Sequence, residues 1–143
     1  TMTISIDLIL LVARCLVAPV MVFYGVQKFL DINTNFINAP ATQRFMDVFA
    51  GGAKSPLWFA YANALFQFGM GFGVLIGFET QICAALVALW FIPVTYFGHP
   101  FWAGIDPANN EEHFMNNLAI VAAYMMIAYF GAGKYSLDAM LFG

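Results

Sequence analysis

Arg14, Lys28, Asn63, Gln67, His99, His113 and Asn117 lie within, or at the ends of, otherwise apolar stretches. An ionisable side chain facing hydrocarbon costs about 3 kcal/mol or more, so each one buried in such a stretch is a functional hypothesis by default. Along the first stretch, Asp7, Arg14, Ala18, Met21, Gly25 and Lys28 recur at steps of seven, four, three, four and three residues. That spacing keeps them on one helical stripe, and a charged stripe must face the interior of a bundle. Asn63, Gln67 and Gly71 make a second stripe by steps of four, while His113, Asn117 and Tyr124 share a third face with Asn116 beside it. Hydrogen bonds between helices, about 0.6 to 2 kcal/mol each, account for Asn63, Gln67, Asn116 and Asn117. Arg14 is open between bundle glue and contact with a polar ligand head. Asp7 lies about 10 Å away along the same helix, so the partner of Arg14 is expected on another span, at Gln67 or Asn117. His99 and His113 are of a type that binds metal or haem. With no further His and no Cys nearby, hydrogen bonding at loop ends is the simpler reading, and no metal or haem is expected.

Composition says what must position these groups. The chain is 62% hydrophobic and 9% charged over 143 residues, against roughly 25% charged in soluble domains. A soluble core this small cannot hide so much apolar surface. Lipid must take up the rest. A net charge of −3 without a basic run argues against a nucleic-acid partner. The reading is an all-α membrane protein, one domain over residues 1–143, built as a four-transmembrane-helix bundle with a short amphipathic helix in the first loop. The spans fall at about 4–30, 57–78, 82–101 and 114–130. The first is too long for a signal peptide and lacks a basic start and cleavage site. Pro19 and Pro93 sit inside spans, where neighbouring helices can satisfy the freed carbonyls. Glu79, Thr80 and Gln81 alone separate spans two and three, which must be antiparallel neighbours. Residues 42–50 alternate polar and apolar at helical spacing, as in a helix lying on or dipping into the membrane surface.

Gly69, Gly73 and Gly77 form a doubled GxxxG face that admits another helix closely. The run Gly69-Met-Gly-Phe-Gly has no preceding strand, so it is not a nucleotide loop. Cys15 and Cys83 form no CxxC pair and are expected to be buried structural thiols. Trp58, Trp90, Trp102, Tyr96 and Tyr135 are read as interfacial anchors. Setting Arg14 and Lys28 aside, Arg44 and Lys54 stand against Lys134, which leaves the sidedness open.

Arg14 followed by Phe23-Tyr-Gly-Val-Gln-Lys28 resembles the first-span pattern of the DoxX family of small four-helix membrane proteins. Gln67 through Gly77, then Thr80 and Ala84-Ala85, resembles its second-span pattern, with Gln67 where the family usually has Glu. His99-Pro-Phe resembles the close of its third span. Gly131-Ala-Gly-Lys-Tyr-Ser-Leu-Asp138 resembles its C-terminal motif. The resemblance implies a four-helix fold in a bacterial inner membrane and kinship with a subunit of a thiosulfate:quinone oxidoreductase. Gln67 in place of an acid removes a proton carrier at that position.

Together these point to an integral membrane subunit of a quinone-linked oxidoreductase or respiratory complex, binding a quinone or similar lipophile between helices. Arg14, Gln67, His99 and Trp102 are the expected contacts, with Lys28, Asn63, His113 and Asn117 as structural polar interior. The sequence shows no redox centre, so electrons come from a partner subunit or bound cofactor. The rival reading is a non-catalytic accessory subunit that anchors or stabilises a larger membrane complex.

Overall fold

The computed structural model describes residues 3–143. Four helices are long and apolar enough to cross a membrane: α1 (Ile6–Leu30), α3 (Leu57–Ile76), α4 (Thr80–Gly98) and α5 (Pro107–Phe130). A π-helical turn (Asn33–Ile37) and α2 (Pro40–Phe49) fill the first connection, and α6 (Leu137–Phe142) ends the chain. Four crossings by these helices place the start of α1 and the end of α5 on one side. At about 1.5 Å per residue, even the shorter spans approach the ~30 Å of a hydrocarbon core.

The apolar outer surface confirms that lipid is the solvent. Leu16, Leu65, Leu89, Ile92 and Met125 are 59 to 72% exposed, outside any packing that could hide them. Inside, α1 packs mainly on α3, and α4 on α5. Leu10, Arg14, Ala18, Met21 and Gly25 are the buried residues of α1; the middle of the expected stripe is buried, while Asp7 and Lys28 at its two ends are only part-buried. Tyr124 closes the ring of helices, its hydroxyl donating to the Val17 carbonyl at 3.2 Å.

The close approach of α1 to α3 occurs at Gly71 and at Gly25, where a Cβ would stand 2.8 Å from the Phe68 amide nitrogen, not along the Gly69–Gly73–Gly77 face. A Cβ on Gly71 would stand 2.5 Å from that of Met21, whereas Gly69 meets nothing within 4 Å. Gly73 instead makes room for Cys83, and Gly77 for Ser136 and Arg14. Gly77 also ends α3 in the left-handed region at φ 74°, with the Phe78 amide returning to the Gly73 carbonyl at 2.8 Å. Only glycine fits there without strain.

Other departures have simple causes. α5 begins at Pro107, well ahead of the apolar run at Phe114. Proline suits the first helical turn, and Asn109 to Glu112 continue the helix beyond the lipid. The C-terminal tail is helical because the Ser136 hydroxyl caps it, accepting from the Ala139 amide at 3.2 Å. Cys15 is exposed on the lipid face and only Cys83 is buried; both are free thiols.

Candidate functional site

Two polar centres lie at different depths. The first, at the end of the bundle where α3 gives way to α4, is built on Arg14. Its guanidinium is fully buried and donates to the carbonyls of Val74 at 3.3 Å, Leu75 at 3.1 Å and Tyr135. Neither Gln67 nor Asn117, the partners expected from sequence, reaches it. The last turn of α3 offers carbonyls that lack partners within the helix, and a cation is favoured there. The segment after α5 folds across this end: the Lys134 amide donates to Asp7 at 2.9 Å. The Asp138 carboxylate accepts from the amides of Glu79 at 2.6 Å and Thr80 at 2.9 Å, capping α4 and holding Glu79 at φ 46°.

Burial pushes the Asp138 carboxyl up, but the Thr80 and Glu79 donors and nearby Arg14 outweigh it and hold it below its ordinary value. A carboxyl depressed in the folded state contributes in full above its unfolded pKa of about 3.9. That contribution is lost as pH falls through the lower folded value. Asp138→Asn is expected to lower stability by about 1 kcal/mol near neutral pH. The difference from wild type should shrink in acid, read as detergent-unfolding midpoints across pH 2 to about 7.

The second centre is a cavity of about 280 Å³ between the last turn of α1, the π-helical turn, α2, α3 and α4. Lys28 enters it from the α1 stripe. Its ammonium donates to Gln67 Oε1 at 2.5 Å and stands 5.4 Å from the ring centre of Phe36 and 5.2 Å from that of Trp90. Asn63, one helical turn before Gln67, also lines the wall. Its Oδ1 is buried and without a partner among the described residues. Aromatic and aliphatic side chains make most of the remaining wall, including Phe45, Phe59, Pro93, Val94 and Phe97.

α2 is the roof. Arg44 donates to the carbonyls of Phe97 at 2.8 Å and Gly98 at 3.3 Å, the open C-terminal end of α4. Phe45 stacks on Phe59 at 5.9 Å and meets Phe97 edge-on at 5.5 Å. A Cβ on Gly98 would stand 3.6 Å from that of Ala41. The amphipathic segment therefore packs its inner face on the bundle rather than lying loose on the membrane.

The structure does not bring Arg14, Gln67, His99 and Trp102 to one place. Arg14 lies at the α4 N-terminal end and His99 just past its C-terminal end, separated by the helix length, roughly 27 Å at ~1.5 Å per residue. His99 is half-buried; its Nδ1 is 3.3 Å from Asn110 Oδ1, and its ring stacks on His113 at 5.0 Å. Trp102 is 52% exposed, against Tyr96 and Phe114. Asn117 bridges α5 to Thr95 at 3.1 Å, a structural role. Gln67 reaches the cavity only through Lys28. Lys28 and Asn63, read from sequence as interior glue, line the cavity instead, as does Trp90 near the middle of α4. Sequence reasoning missed Phe36, Thr42 and Phe45. The apolar face of residues 42–50, which needed a partner, was the available signal.

A family model described as DoxX matches residues 9–100, which takes in both Arg14 and the whole cavity wall but stops short of Gly131–Asp138. The inner membrane protein YphA of Escherichia coli is 25% identical over 132 residues, 91% of this chain and 88% of YphA. The inner membrane protein YqjF of the same organism is 33% identical over 78 residues, 54% of this chain and 57% of YqjF. No solved structure matches. A model match across well over half of the chain, on four membrane-spanning helices, means that this integral membrane protein belongs to the DoxX family.

Proposed function

We propose that the protein binds a quinone-type lipophile beneath α2 and serves as the inner-membrane subunit of a quinone-linked oxidoreductase. The carrying observation is Lys28, whose ammonium stands in an apolar cavity with one hydrogen-bond partner and two aromatic rings. An ammonium donor suits a ring carbonyl, and the unpartnered Asn63 Oδ1 suits a hydroxyl of the reduced ring. The cavity is small beside the usual ligand site of about 300 to 1,000 Å³. It would take a ring head and leave the tail in lipid. When bound, the quinone supplies the electron-accepting chemistry. This chain's residues would fix the head, exclude water and hold Trp90 against the ring, with electrons delivered by a partner subunit.

The test uses Trp58→Phe/Trp102→Phe protein, which retains Trp90 as its single tryptophan. An alkylated naphthoquinone should quench Trp90 fluorescence saturably, with one molecule bound per chain. Quenching that rises linearly with quinone, as for partition into the micelle, would favour the accessory-subunit reading.

A further inference from the structure

The charge in the cavity is uncompensated, and this bears on which molecules it holds. Every group facing the Lys28 ammonium is neutral. Gln67 supplies an amide oxygen at 2.5 Å, and Phe36 and Trp90 supply ring faces. The last-turn carbonyls of α1 add only a partial negative charge. The nearest acid in sequence is Asp31, which is exposed and accepts from the Thr34 amide at 3.1 Å. Arg44, the other cation near the cavity, is committed to the α4 carbonyls. No aspartate or glutamate is among the lining residues. Arg14 shows the contrast: it is fully buried where Lys28 is only part-buried, its terminal nitrogens donate to three carbonyls, and it does not line the cavity. At Lys28 the space remains.

Resting on the ligand site proposed above, we infer that the cavity selects lipophiles whose head carries a negatively charged oxygen. An ionised ring hydroxyl and a lipid carboxylate share this chemistry. Either would supply the missing counter-charge, and a part-buried cation among apolar side chains is stabilised by gaining one. The surrounding wall is apolar, so the charge pair would be screened little by water.

The experiment compares molecules that differ only in that charge. In the protein with Trp90 as its single tryptophan, an alkylated hydroxynaphthoquinone and its methyl ether are titrated at a pH where the hydroxyl is ionised. Concentrations are referred to the micelle phase. The ionised quinone is expected to bind at least tenfold more tightly than the ether, and Lys28→Gln should bring the ratio near one. Myristate and methyl myristate are then tested as competitors. Displacement by myristate alone extends the preference to lipid acids, and displacement by neither confines it to ionised rings; both outcomes retain the charge selection. Equal binding of hydroxyl and ether overturns the inference but leaves the ligand site standing. A tenfold preference that survives Lys28→Gln also overturns it, because the charge would then be read elsewhere. If no quinone quenches Trp90 saturably, the ligand site itself falls.

Discussion

Arg14→Leu is expected to be the most destabilising single substitution in the chain, on the order of 3 kcal/mol. Three carbonyls would lose the guanidinium together, those of Val74, Leu75 and Tyr135, with Val74 alone keeping a second donor, the Gly77 amide at 3.3 Å. Membrane-interior hydrogen bonds are worth about 0.6 to 2 kcal/mol each, and acceptors left buried without a partner cost about 1 to 3. The loss should show as a lower midpoint in titration from mild detergent into dodecyl sulfate. Because Tyr135 lies in the segment folded across the bundle end, trypsin should also cut more readily after Lys134, which is exposed. Arg14→Lys would recover part of the loss, since a single ammonium cannot span the three acceptors that the guanidinium reaches. Whatever fraction of Arg14→Leu folds should bind lipophiles normally, for Arg14 is at the other end of α4 from Arg44 and the roof. An unchanged midpoint would remove Arg14 as the organising contact.

The contrast between Arg14 and Lys28 also shows where the sequence could be read and where it could not. Composition and helical spacing sufficed for four spans and for the inward face of α1, because lipid punishes any other placement of those charges. The same reasoning treats every inward polar group alike. It cannot tell a charge consumed by backbone carbonyls from one left facing a void, because that depends on what lies opposite. Arg14 is consumed because Gly77 has no side chain, which lets Tyr135 and Ser136 pack against the guanidinium. Lys28 is left open because α2 bridges over it instead of filling the space. The position of α2 follows from Arg44 meeting the Phe97 and Gly98 carbonyls, a contact across more than fifty residues with no signature in spacing. His99 and Trp102 were drawn toward the site by residue type alone, and the fold sets them beside His113 and Phe114 instead.

Lys28→Met should separate function from fold. It removes a part-buried charge from an apolar cavity, a gain, and one hydrogen bond to Gln67, a loss of about 0.6 kcal/mol or somewhat more. Methionine fills similar volume among the rings of Phe36 and Trp90 and keeps the cavity wall apolar. Stability should therefore stay within about 1 kcal/mol of the parent. Ligand affinity should fall at least tenfold, about 1.4 kcal/mol or more, because the donor to the ring oxygen is gone. The decisive measurement is the titration of Trp90 fluorescence with an alkylated hydroxynaphthoquinone in paired proteins with and without Lys28→Met, alongside their dodecyl sulfate unfolding midpoints. A ligand-binding cavity predicts saturable quenching in the parent, its loss in Lys28→Met, and matching midpoints. Equal quenching in both proteins, or a midpoint that collapses in Lys28→Met, would contradict it and make Lys28 part of the scaffold.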